Sequence, residues 1–177
     1  MRAASERLAG CATLVDLVDQ TLLALEREFD IEHAMLLMLD GAGHTLYMLA
    51  SRGYADSGVG AEIPLGHGII GVAAAERAPI RITHMAAEYS YGRAMRDALL
   101  EDNGTECATE IPFPGLESPG SQLAVPILRG TRLLGVLYVE SQRDGAFGYD
   151  EEDALVTLAS QLAAAICLLQ GAAEAQP

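Results

Sequence analysis

Apolar residues recur at intervals of three and four from residue 5 to residue 29: Leu8, Cys11, Leu14/Val15, Val18, Leu22, Leu25 and Phe29. That period predicts an amphipathic helix, with Ser5 placed as its N-cap. The pattern then changes. AMLLML (34–39) and TLYMLAS (45–51) are short apolar runs joined by Asp-Gly-Ala-Gly-His, which predicts a β-hairpin with a loop longer than two residues. Residues 53–62 read as loop. Gly66 and Gly68 punctuate a turn, 69–76 predict a short helix ended by Pro79, and IRI (80–82) predicts a brief strand. Residues 87–101 are helical in pattern, with Gly104 able to close the end. The Pro- and Gly-rich stretch 105–122 reads as loop.

QLAVPIL (122–128) and RLLGVLYVE (132–140) predict two strong strands in a tight hairpin through Arg129-Gly130-Thr131. Pro126 predicts an edge or a bulge at its position. Leu155, Leu158, Leu162, Ile166 and Leu169 form the stripe of a closing helix over 150–169. Four acidic residues, Asp150 to Asp153, stand in its first turn, where the helix dipole favours them. The order helix, hairpin, short helix, strand, helix, hairpin, helix implies an α+β architecture: an antiparallel sheet with helices on both faces. The two long helices share one face, the shorter segments cover the other, and a pocket lies beneath them. No internal repeat or linker interrupts the chain. It reads as one domain over 1–177, with a core of about 10–169 and a frayed tail at 170–177.

Composition narrows the function. The chain has 177 residues, 50% hydrophobic and 20% charged, which is globular composition. The formal net charge of −14 disfavours direct nucleic-acid or anionic-membrane binding. All 11 Lys+Arg positions are Arg, which removes Schiff-base and P-loop lysine chemistry. Cys11, Cys107 and Cys167 are far apart, with no CxxC pair and no signal-like N-terminus, pointing to a reducing, cytoplasmic setting. No apolar run is expected to reach the roughly 18–20 residues of a membrane span.

Three blocks, in order, resemble the GAF domain family. LGHGIIGVAAAERAPIRI is similar to its G-x-G-[IV]-x-G-x-x-A core. SQLAVPILRGTRLLGVLYVES is similar to its S-x-L-[AC]-V-P hairpin. AFGYDEEDALVTLASQLAAAI is similar to its closing helix. The resemblance implies a sensory domain with its terminal helices paired on one face of the sheet and a ligand cavity on the other. It also implies homodimerisation through those helices, with a shift passed to an output domain or partner. A charge at Leu158 or Leu162 is then expected to disrupt the dimer. Gly66, Gly68 and Gly71 have a structural reading of their own: they let a tight turn seat a short helix against the sheet.

Specialised GAF chemistries fit less well. The N-K…F-x-x-x-D-E signature of cyclic-nucleotide binders is incomplete, because Asp150-Glu151 follows Phe147 one residue early and Lys is absent. Bilin attachment uses a Cys-His pair, and Ala follows Cys107. Free methionine sulfoxide reductases resemble G-x-C-G-x-A where this chain has Gly68-Ile69-Ile70-Gly71. Cys107 alone lacks a resolving partner, and Cys11 and Cys167 read as small core hydrophobes. For an axial haem ligand, His67 and His84 flank the expected pocket, while His33 and His44 read as loop or surface.

In a GAF fold, 83–120 would lie over the cavity. On a helix through 87–101, Tyr89, Arg93 and Arg96 share one face, and Tyr91 shares another with Met95. Two arginines and a tyrosine can clamp an anion bidentately. Alternatively, the arginines pair in solvent with Glu88, Asp97 or Glu101. The candidate ligand-binding residues are His84, Tyr89, Tyr91, Arg93, Arg96 and Cys107, with Ser121 and Tyr138 from the second hairpin. No catalytic residue, metal ligand or cofactor is assigned. The expected function is a non-enzymatic small-molecule sensor. The alternatives are a dimerisation scaffold with a filled pocket and a thiol-dependent redox enzyme using Cys107.

Overall fold

The computed structural model describes Arg7, residues 10–84, Ile111 and residues 113–174. The elements run α1 (Leu14–Phe29), β1 (His33–Leu39), β2 (Thr45–Arg52), β3 (Glu62–Pro64), α2 (Gly68–Glu76), β4 (Ile80–Ile82), β5 (Ser121–Arg129), β6 (Arg132–Ser141) and α3 (Tyr149–Glu174). The expected helix at 87–101 lies outside the described residues. The strands form one six-stranded sheet in the order β3-β2-β1-β6-β5-β4, every pairing antiparallel. This is the expected α+β class, with β1 and β6 at its centre.

Three element boundaries differ from the sequence reading, each for a local reason. The first long helix starts at Leu14, where Thr13 is extended and its Oγ1 accepts the Asp16 N–H at 3.1 Å. That cap, behind the turn at Gly10, sets the start of α1; Ser5 lies outside the described residues. The strand β3 is an addition. It is three residues long, too short to show a period, and exists through its pairing with Thr45–Tyr47. The closing helix continues through Glu174, past the expected end at 169. Ala172, Ala173 and Glu174 are strong helix formers, so 170–174 is helix and not tail.

Pro126 behaves as expected. It lies beyond Ala124, the last β5 residue that β4 pairs, and just before a register shift at Ile127/Leu128.

Each face of the sheet carries its own core. Alternation along β5 and β6 sends Leu123, Val125, Ile127, Leu137 and Val139 to one face, where they pack with Leu17, Leu22 and Leu25 of α1 and Leu155, Leu158, Leu162 and Ile166 of α3. The other face gathers Met35, Leu37, Met48, Ala124, Val136 and Tyr138 with Ile70, Ala73 and Ala74 of α2. The glycine turn seats α2 there. Gly66 and Gly68 hold φ of 82° and 60°, and a Cβ on Gly71 would stand 2.5 Å from the Pro64 carbonyl oxygen.

Leu158 and Leu162 are 0% exposed inside the first core, so they do not present a dimer surface. Tyr149–Gly171 is long and apolar enough, by length and composition, to cross a membrane, against the expectation that no run qualifies. Residues 154–171 carry no charged side chain. Within this fold the helix lays its leucine stripe on the sheet as a core element.

Candidate functional site

The face under α2 is apolar until the ends of β5 and β6. Alternation along β6 carries Tyr138 to Glu140 on that face, and the β5–β6 register sets Gln122 directly opposite Glu140. Both are buried, Gln122 at 5% and Glu140 at 3% exposure. The register of β1 with β6 places His33 opposite Glu140 on the other side. Four polar side chains thus meet on adjacent strands of an otherwise oily surface. Tyr54, from the loop after β2, joins them: its ring meets His33 edge to face at 5.3 Å between centroids.

The hydrogen bonds converge on the carboxylate. Tyr138 Oη donates to Glu140 Oε2 at 2.9 Å, and Gln122 Nε2 donates to the Tyr138 oxygen at 2.6 Å and more weakly to Glu140 Oε2 at 3.4 Å. The Leu116 N–H donates to Oε1 at 2.8 Å. The Tyr54 hydroxyl is buried without a hydrogen-bond partner. Burial first, and then the nearby Glu140 charge, push its pKa far above the ordinary phenol range. The hydroxyl's interaction with the Glu140 carboxylate raises it further. The arrangement can receive donors and cations, and it disfavours a second anion at Glu140.

The structure places three of the sequence-derived candidates, and it brings only one of them into this group. Tyr138 is central. Ser121 has the parity of Leu123 and Val125, so it faces the helix pair, and its hydroxyl donates to the Arg143 carbonyl at 2.8 Å. His84 is exposed at the end of β4, with Nδ1 3.2 Å from Thr83 Oγ1. Tyr89, Tyr91, Arg93, Arg96 and Cys107 lie outside the described residues. Sequence reasoning missed Gln122, Glu140, Tyr54 and His33. His33 is the first residue of β1 and half-buried, not a loop position. Glu140 had a signal: it stands two residues after Tyr138 in an apolar strand, so it must share that side chain's face.

Among the described residues, clefts open at opposite ends of the sheet. One of about 440 Å³ lies against the β1–β2 turn and includes Arg77 and Arg132. The other, about 430 Å³, is lined in part by His33, Glu140, Asp30, Glu32, Arg143 and Glu151. Among the described residues, no group of three His, Cys, Asp or Glu side chains is placed to hold a metal. Cys11 and Cys167 are free, half-buried and packed against the helix-side core. Burial and then Asp16 push the Cys11 thiol up, away from the thiolate that redox exchange needs.

A family model for the GAF domain matches residues 11–166. The chain belongs to the GAF domain family. No curated protein matches it. Solved structures share the fold at low identity. The GAF domain from an Acinetobacter phosphoenolpyruvate-protein phosphotransferase is 21% identical with TM-score 0.73, over 96% of this chain and 92% of that one. Free methionine-R-sulfoxide reductase from Neisseria meningitidis, in complex with its substrate, is 19% identical with TM-score 0.71, over 97% and 88%. The A. aeolicus nlh2 GAF domain in an inactive state is 16% identical with TM-score 0.66, over 94% and 93%.

In this GAF domain β4 is also tied to the closing helix. Arg81 of β4 donates from Nε to Glu152 Oε2 at 2.8 Å and from Nη1 to the Phe147 carbonyl at 3.4 Å. Its guanidinium stands 4.1 Å from the centre of the Tyr149 ring. Gly145 N–H donates to the Thr83 carbonyl at 2.6 Å. These contacts link β4 to the first turn of α3.

Proposed function

We propose that this GAF domain is a non-enzymatic, cytoplasmic sensor that binds a small molecule on the Tyr138 face of its sheet. One observation carries the reading: a buried, hydrogen-bonded group of Gln122, Tyr138 and Glu140 set into an apolar face. Polar side chains buried this way are costly when left unsatisfied, and a plain scaffold has no need of them. Expected contacts at Tyr89, Tyr91, Arg93, Arg96 and Cys107 belong to the same proposal. The ties from Arg81 and Thr83 to the base of α3 give a ligand-dependent shift a route to the terminal helices, and from there to an output partner. A shift of this kind requires that the ligand prefer one of two states.

Native mass spectrometry against denaturing mass spectrometry, followed by a metabolite thermal-shift screen, tests the reading. A mass excess lost on denaturation, or stabilisation by a metabolite, is the expected result. A bare chain that no metabolite stabilises would leave only the scaffold.

The same proposal includes a homodimer through the terminal helices. Val15, Val156 and Leu168 stand outward there at 68%, 37% and 74% exposure. We expect Leu168→Glu to shift the chain from dimer to monomer in light scattering while its circular dichroism is unchanged. A wild-type monomer, or an unaltered dimer in the variant, would place the interface elsewhere or remove it.

A further inference from the structure

We propose that Glu140 is the receptor for a cationic nitrogen on the ligand, a primary ammonium, amidinium or guanidinium group. This rests on the reading that the Tyr138 face binds a small molecule. The carboxylate is 3% exposed and accepts from three neutral donors: the Leu116 N–H, the Tyr138 hydroxyl and the Gln122 amide. Among the described residues, the ion pairs are Arg7–Glu28, Arg52–Glu26 and Arg81–Glu152, and none involves Glu140. A carboxylate taken out of water without a countercharge is expensive, and the cost falls when a cation arrives with it.

The bonding inventory leaves a position for that cation. A carboxylate has about four lone-pair positions; Oε1 receives one described donor and Oε2 two. Beside it the Tyr54 oxygen is buried and unpaired, and can accept a further N–H. An ammonium or amidinium brings two or three donors to one place, which matches two waiting acceptors. The Tyr54 ring adds a cation–π surface to the same corner.

Electrostatics beyond the contact shell agree. His33 and Glu140 also line the cleft at that end of the sheet. Its other charged residues are Asp30, Glu32 and Glu151 against Arg143. A cleft lined mainly by one sign concentrates the opposite ion, and the chain as a whole carries −14. An anion approaching Glu140 through that cleft meets net negative charge.

The test is titration calorimetry on the full chain with agmatine, butylammonium, butyrate and butanol, repeated on Glu140→Gln and Tyr54→Phe. The expected result is binding of agmatine or butylammonium at least tenfold tighter than of butyrate or butanol. Glu140→Gln should weaken it tenfold or more. Tyr54→Phe removes only an unpaired hydroxyl, so that variant keeps the fold. It should weaken the amine several-fold, which keeps the test decisive if Glu140→Gln does not fold. Amine affinity unchanged in both variants would overturn the assignment, because the cation would then be held elsewhere on an acidic surface. Binding of butyrate or butanol without the amines would also overturn it, and would leave the sensor reading standing. Silence from all four probes would overturn the assignment; if the metabolite screen is silent as well, the sensor reading falls with it.

Discussion

Leu162→Glu leaves no folded domain. Leu162 is fully buried where α3 crosses the sheet, in the core that also holds Leu17, Leu25, Leu137 and Leu158. Truncating a leucine in such a place costs about 3–5 kcal/mol. A carboxylate there adds an unpaired buried charge, worth several kcal/mol more. Domains of this kind are stable by roughly 5–15 kcal/mol, so the sum reaches or exceeds what holds the fold together. The measurement is far-ultraviolet circular dichroism with a urea titration. We expect loss of the cooperative transition or of soluble protein. A well-folded soluble monomer would show that the stripe faces a second copy and not the sheet. Leu168→Glu, six residues on and 74% exposed, is the matched control; it is expected to keep a soluble fold and a cooperative urea transition.

Gly135→Ala separates the two central strands. An added Cβ would stand 2.1 Å from the Leu37 carbonyl oxygen and 3.1 Å from Met38 Cα. Both are backbone atoms of β1, whose register with β6 runs from His33↔Glu140 to Met38↔Gly135. No rotamer change relieves a contact with backbone, so the strands must part locally. Overpacking of this sort costs about 3 kcal/mol at the upper end of its usual range, equivalent to a fall in Tm of about 6–12 °C for a chain of this size. Gly171→Ala makes the opposite case. Its Cβ meets nothing within 4 Å in the helix, so the variant should gain up to about 1 kcal/mol from helix propensity. Thermal melts of the two variants beside the wild type check both. An unchanged Tm for Gly135→Ala would mean that β1 and β6 sit farther apart than described here.

The hairpins were readable because alternation and turn residues are local. Gly130-Thr131 closes β5 onto β6 as expected, and Asp40 Oδ1 collects the His44 and Thr45 N–H groups across the first turn. The stripes of α1 and α3 were readable for the same reason. What covers a stripe is not local. Leu158 and Leu162 would look the same facing a partner or a sheet, and only the packed fold assigns them to the sheet. The three-residue strand β3 has no period of its own. The candidate site was half legible. Tyr138 was among the candidates of the second hairpin, and Glu140 was missed although parity with Tyr138 could have found it. Tyr54 and His33 meet through tertiary geometry that no spacing reveals, and the parity of Ser121 with Leu123 and Val125 turns it to the helix face.

The two outermost strands are three residues each, and β5 beyond Ala124 has only β6 beside it among the described residues. That free margin begins near Pro126, which has no N–H to offer. A second chain docking on that margin therefore meets an interrupted ladder at Pro126. Short outer strands and an edge proline are devices that disfavour strand exchange and fibril-like stacking. Association between copies is left to side-chain surfaces, where a single substitution can tune it.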